Sequence, residues 1–222
     1  MVHGALQMLN DWNEKEVKRA ERTWGHTFPI YTLDMFNFAL ASGASFLDLG
    51  CGFGRFLQFL NENSEEPDYV GYDSSEAMIS RISKRFPDFL TRVFHKDITA
   101  TITHPQEVVV SSAIFIHLTL KEQQSILDNI LALKPQPKAI TFDINCPRES
   151  KLDNLKIKQT ESFERRIKIT RGGETAFRMT WQSHYLMTEK VLKQFPKYNL
   201  TTKFYDLRQG RHKVVYMLSK RS

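Results

Sequence analysis

Phe46-Leu47-Asp48-Leu49-Gly50-Cys51-Gly52-Phe53-Gly54-Arg55 reads as a short apolar strand that runs into a glycine-rich turn and opens a helix. Glycines without a Cβ allow a tight turn and the close approach of another molecule, and the helix N-terminus beyond presents free N–H groups. The dinucleotide-binding fingerprint requires a further glycine three residues after the second. After Gly50 and Gly52 that position is Arg55, and after Gly52 and Gly54 it is Leu57, so NAD is disfavoured. What remains is an acid, Asp48, followed by glycines at alternate positions.

Outward from this turn, apolar runs of strand length alternate with helical stretches, the pattern of a parallel sheet covered by helices on both faces. Strands are expected at Ser45–Leu49, Tyr69–Tyr72, Arg92–His95, Val108–Ser112 and Ala139–Asp143, with helices near Arg55–Asn63, Glu76–Phe86 and Lys121–Leu133. The last helix should stop before Lys134-Pro135, because proline excludes the α conformation for the residue ahead of it. Upstream, Asn10 to Thr23 and Thr32 to Leu40 have helical spacing, broken at Gly25 and Pro29, and predict a helical cap. Downstream, Ser162–Thr170 and Thr175–Met187 alternate around Gly172-Gly173 and predict an antiparallel hairpin insertion. A short helix near Glu189–Phe195 and strands near Thr201–Leu207 and Lys213–Ser219 close the chain. The expectation is one domain: cap 1–43, core 44–146, hairpin lid 150–187 and closing segment 188–222.

The acid and its glycine loop resemble the class I S-adenosylmethionine (SAM)-dependent methyltransferase family. Val70-Gly71-Tyr72-Asp73-Ser74-Ser75-Glu76-Ala77-Met78 is similar to that family's second strand, and His95-Lys96-Asp97-Ile98 to the end of its third. Asp73 lies 21 residues after Gly52, near the ~20-residue offset that places an acid at the next strand's tip. Asp48, Asp73 and Asp97 thus close three consecutive strands, whose ends share one crevice in an open parallel sheet. The resemblance implies a Rossmann-like, seven-stranded, mostly parallel α/β sheet, with SAM as cofactor. It also implies roles: Asp48 faces the methionyl ammonium, and Gly50, Cys51, Gly52 and Gly54 line the amino acid and sugar. Asp73 holds the ribose, with Ser74 and Met78 beside it, Asp97 and the Ile98 backbone read adenine, and Ser112 lines the crevice after the fourth strand. Each acid has a plainer reading too, since an Asp at a strand end commonly caps the turn that follows.

After the fourth strand, Ser111-Ser112-Ala113-Ile114-Phe115-Ile116-His117-Leu118 lacks the Asp/Asn-Pro-Pro-aromatic motif of family members that methylate exocyclic amines of DNA bases. His117 resembles a histidine of small-molecule members and is the candidate general base, although methyl transfer from a sulfonium can proceed on proximity and orientation without one. Aromatics of the cap (Trp24, His26, Phe28, Tyr31) and of the hairpin (Phe163, Phe177, Trp181, His184, Tyr185) suit a substrate pocket or an ordinary core. Ser183 to Glu189 resembles the family's strand-to-helix passage, with Thr188 as the expected cap.

Charge is asymmetric. Residues 1–110 hold 10 Lys+Arg and 15 Asp+Glu, and residues 111–222 hold 21 and 10, so the halves carry −5 and +11. Arg165, Arg166, Lys168 and Arg171 cluster near the hairpin turn, which keeps a nucleic-acid substrate as an alternative, and a non-catalytic SAM-binding scaffold is a third. Two cysteines far apart give no disulfide framework or zinc site, so no metal is expected. With no apolar run near ~20 residues and no signal-like leader, a cytoplasmic protein without membrane contact is expected. The leading expectation is methyl transfer to an oxygen or nitrogen of a small molecule.

Overall fold

In the computed structural model, residues 14–24, 27–147, 163–168, 176–181, 184–207 and 211–221 are described, with 163–168 and 176–181 as backbone only. Alternation in β1 (Ser45–Leu49) sets the layers. Phe46 and Asp48 point to one face, and Leu47 and Leu49 to the other. The first face carries Tyr69, Val108, Val110 and Val215 under α2 (Ile30–Ser42), α3 (Arg55–Asn63) and Ile82 of α4 (Glu76–Arg85). The second carries Val70, Tyr72, Val109, Phe142 and Tyr216 under α5 (Leu120–Ala132) and α6 (His184–Gln194). Helices on both faces bury every strand side chain near the middle of the sheet, which is why β4 (Val108–Ser111) is apolar throughout until Ser111.

The strands run β3 (Val93–His95), β2 (Asp68–Asp73), β1, β4 and β5 (Ala139–Pro147), all parallel. The order reverses between β1 and β4, so the crevice beyond their C-terminal ends is the topological switch point of the sheet. Beyond β5 come β9 (Arg211–Lys220), antiparallel to it, and β8 (Tyr198–Leu207), antiparallel to β9. These are the seven expected strands. The hairpin β6 (Phe163–Lys168) and β7 (Ala176–Trp181) adds two more to the same sheet, meeting β5 only at Asn145↔Trp181. Because β4 pairs with β5 only as far as Ser111↔Phe142, this attachment uses the edge that β4 vacates. Gly172, Gly173 and Arg171 of the expected turn, with His26, lie outside the described residues.

Local chemistry accounts for the helix ends. Thr119 and Glu122 form a reciprocal capping box at the start of α5, and Ser75 accepts from Met78 N–H at 3.3 Å at the start of α4. The cap helix α1 (Glu14–Trp24) buries Val17 and Ala20 against Phe53 of the glycine loop and Met78 of α4. Arg81 of α4 donates to Glu21 at 2.7 Å and fastens the two helices.

One boundary differs from expectation. The alternation expected as strand through Met187 stops at Trp181, and His184 to Gln194 is helical, so Thr188 lies inside α6 and is not its cap. There its Oγ1 sits 3.3 Å from the Tyr216 hydroxyl. Over so short a window periods of 2 and 3.6 coincide, and the four-residue repeat of buried Met187 and Val191 against the sheet decides for helix.

Candidate cofactor site

The glycine loop is held open by backbone bonds. Gly50 and Cys51 N–H both donate to the Tyr72 carbonyl, at 2.8 and 2.9 Å, turning the chain sharply off the end of β1. Gly50 and Gly52 have φ of +79° and +54°, in the region that favours glycine. They face different surroundings. A Cβ on Gly50 would lie 2.2 Å from the Ile114 side chain, so the segment after β4 rests directly on the loop. A Cβ on Gly52 would meet nothing nearer than the Met78 sulfur at 4.0 Å. The backbone at Gly52 therefore borders open space. Gly54 packs inward against Ile82 and Phe86, so its missing side chain serves helix packing.

Asp73, at the tip of β2, is 9% exposed and accepts Gly52 N–H on Oδ2 and Ser75 N–H on Oδ1, both at 2.8 Å. Each oxygen keeps a second lone pair, so the carboxylate both braces the loop and can still accept two hydroxyl donors. Burial raises its pKa, while the Ser75 and Gly52 N–H groups pull it down. Asp48 is buried on the helix face beneath the loop and accepts the Tyr69 hydroxyl at 2.9 Å. Burial pushes its carboxyl up to about 7, with the Tyr69 bond opposing and Asp73 adding to the rise. Tyr69 reaches it by passing over Gly71, where a Cβ would come 2.7 Å from its hydroxyl oxygen. Cys51 is buried, and its thiol is pushed well up by burial and the two carboxylates.

Asp97 forms a turn through Oδ1, which accepts the Thr99 N–H and hydroxyl at 2.8 Å each, and Ile98 is buried beside it. Ser74 is half-buried, with its carbonyl 2.9 Å from His95 Nε2. Met78 is buried under α1, and Ser112 is half-buried at the β4 exit. His117 ends the short 3-10 turn Phe115–His117, which lies against the β7 backbone. The structure thus gathers Asp48, Gly50, Cys51, Gly52 and Asp73 tightly, sets Asp97 at the neighbouring strand end, and holds His117 apart on the β4 side.

Sequence reasoning missed three features. Tyr69 and Gly71 precede Asp73 at alternate positions, so the three share a face of β2, and the register Asp48↔Gly71 brings Tyr69 to Asp48. Asp143 and Lys213, both buried, form an ion pair across β5 and β9. Asp143 also accepts Ala113 N–H at 2.6 Å, at a residue with φ of +60°. The third is Arg55, whose Nη2 donates to the Thr27 carbonyl at 3.2 Å while its buried Nε has no hydrogen-bond partner.

Residues 47–136 match the family model of a methyltransferase domain. The chain is 33% identical over 79 residues to trans-aconitate 2-methyltransferase of Acidovorax sp. (strain JS42), a match covering 36% of this chain and only 30% of that protein. Among solved structures, magnesium protoporphyrin IX methyltransferase of Synechocystis PCC 6803 with bound S-adenosylhomocysteine is similar at TM-score 0.62 and 14% identity, over 97% of each chain. A DhpI–SAM–HEP complex is similar at TM-score 0.59 and 16% identity, over 97% of this chain and 99% of that one. The fold is the class I methyltransferase fold. Within that fold, residues 47–136 form a methyltransferase-domain segment. No described helix is long and apolar enough to cross a membrane.

Proposed function

We propose that this protein transfers the methyl group of SAM to an oxygen or nitrogen of a small molecule. The observation that carries this reading is the open backbone at Gly52 with the Asp73 carboxylate bonded to it, a cradle that a ribose and its amino-acid arm fit and a side chain would fill. SAM, when bound, supplies a methyl group on a sulfonium that departs as a neutral thioether. In this reading Asp73 accepts both ribose hydroxyls, Asp48 takes the ammonium, and Asp97 with the Ile98 backbone holds the adenine edge. Ser74, Met78 and Ser112 line the site. Cys51 shapes the loop and, with its thiol pushed up, stays uncharged.

The acceptor is brought to the β4 exit, where positioning is the main contribution of the chain. In this reading His117 takes a proton from an acceptor that must lose one. The hairpin, seated on the free edge of β5, covers that side as a lid, within a single domain. A small acceptor is favoured because Phe115 is fully buried and stacked on Phe142 at 4.5 Å, committed to the core and withdrawn from any flipped base. The relative's name, a methyltransferase of trans-aconitate, agrees with a small acceptor.

The test is transfer of labelled methyl from SAM to a panel of carboxylates, phenols and amines, with RNA and DNA in parallel. Turnover on the small-molecule panel is expected. Turnover confined to nucleic acid, with binding that weakens steeply in salt, would replace this reading with the polyanion one. Cofactor binding with no transfer to any component of a cell extract would replace it with the scaffold one.

A further inference from the structure

The sheet face under α2 carries buried polar side chains that the reading above leaves unused. Thr141, Asp143 and Asn145 alternate along β5 onto that face, while Phe142 and Ile144 turn to the other. Thr141, the deepest, is fully enclosed at 0% exposure. Asp143 is satisfied, since Lys213 matches its charge and its other oxygen accepts Ala113 N–H at 2.6 Å. Asn145, nearest the C-terminal end of the strand, is 4% exposed, and its carboxamide makes no hydrogen bond to any described residue.

The ladder places Asn145 at the crevice. The last rung between β4 and β5 is Ser111↔Phe142, so Asn145 stands beyond the end of β4, alongside the segment whose Ile114 rests on Gly50. Directly opposite in the β5–β9 pairing is Lys213, whose ammonium lies over the Tyr31 ring of α2, 5.4 Å from its centroid. A carboxamide offers one carbonyl acceptor and two N–H donors, and burying both kinds unpaired is costly. The charges of Asp143 and Lys213 cancel within the protein, so a charged ligand group would be desolvated here without a counter-ion. An uncharged group with a donor next to an acceptor matches the Asn145 edge instead. We propose that Asn145 is a specificity-determining residue that pairs with an amide group of the methyl acceptor, beside Lys213 and Tyr31. The assignment of this group to the acceptor rests on the methyl-transfer reading above.

The experiment titrates wild type, Asn145→Ala and Asn145→Asp with benzamide, benzoate and benzylamine, which carry a neutral, an anionic and a cationic group on the same ring. The side-chain amide NMR signal of Asn145 is followed in wild type and the backbone amide of Lys213 in all three proteins, with and without S-adenosylhomocysteine. Benzamide is expected to shift the Asn145 signal saturably and to bind wild type about tenfold or more tightly than either charged probe. Asn145→Ala should lose about tenfold in benzamide affinity, and Asn145→Asp, which trades the amide donors for a charge, should prefer benzylamine. No Asn145 shift with benzamide, a charged probe bound as tightly by wild type, or an unchanged benzamide affinity in Asn145→Ala overturns the proposal. If S-adenosylhomocysteine binds and benzamide does not, the subsite alone fails. If S-adenosylhomocysteine does not bind, the methyl-transfer reading fails, and the benzamide titration by itself upholds or overturns the amide subsite. Should Asn145→Ala fail to fold, the wild-type shift and the reversed preference of Asn145→Asp decide in the same way.

Discussion

Two regions of the sheet bury charge in opposite ways. Under the glycine loop, Asp48 and Asp73 are buried with neutral partners, a tyrosine hydroxyl and backbone N–H groups, and neither forms an ion pair among the described residues. Where β5 meets β9, Asp143 is buried beside a matching cation, Lys213. A buried charge matched within the protein is part of the architecture, whereas a carboxyl left to neutral donors keeps acceptor capacity for a further donor. The Asp143–Lys213 pair is the first kind. Asp48 and Asp73 are the second.

The contrast can be broken most forcefully at the matched pair. Lys213→Met leaves Asp143 buried without its cation, and a loss of about 3–5 kcal/mol in urea unfolding is expected, most of it recovered in the double variant Asp143→Asn/Lys213→Met. A loss below about 1 kcal/mol would show that the pair is not architectural.

At the unmatched pole the effect should fall on binding. Asp73→Asn can still accept one backbone N–H but loses the charge and one acceptor, and S-adenosylhomocysteine affinity should drop about 100-fold, or ~2.7 kcal/mol, with a smaller change in unfolding midpoint. Unchanged affinity would detach the cofactor from this carboxylate.

Asp48 sharpens the comparison through pH. Its carboxyl stands at about 7 in the folded protein against an ordinary value of 3.8, so the folded state holds a proton that the unfolded chain has released. Stability due to this group is therefore full below the ordinary value and is lost as pH rises toward 7. Relative to Asp48→Asn, the wild type should lose on the order of 2 kcal/mol between pH 5 and 7 and change little above pH 8. Parallel stability curves for the two proteins would show that Asp48 titrates normally.

Much of the architecture was legible in residue order. The alternation of apolar strands with helices predicted β1 to β5 and α3 to α5 closely, because both periodicities are local and both sheet faces are covered. The three acids were legible as a group because parallel strands end together. The start of α6 was not, since His184 to Met187 fits either period and packing against the sheet chooses. Nor was the role of Gly54 evident, because spacing alone does not separate a glycine facing ligand from one facing Ile82 and Phe86.

Chain order was enough to establish a glycine loop between strand and helix, with an acid at each strand tip, because each of these depends on neighbours a few residues apart. The electrostatic character of the crevice came from the assembled fold. Asp48 meets Tyr69 across 21 residues through strand register, and Asp143 meets Lys213 across 70 through the antiparallel return of β9. Desolvation and partner choice depend on everything packed around a charge, and that environment exists only once the distant strands have closed the sheet.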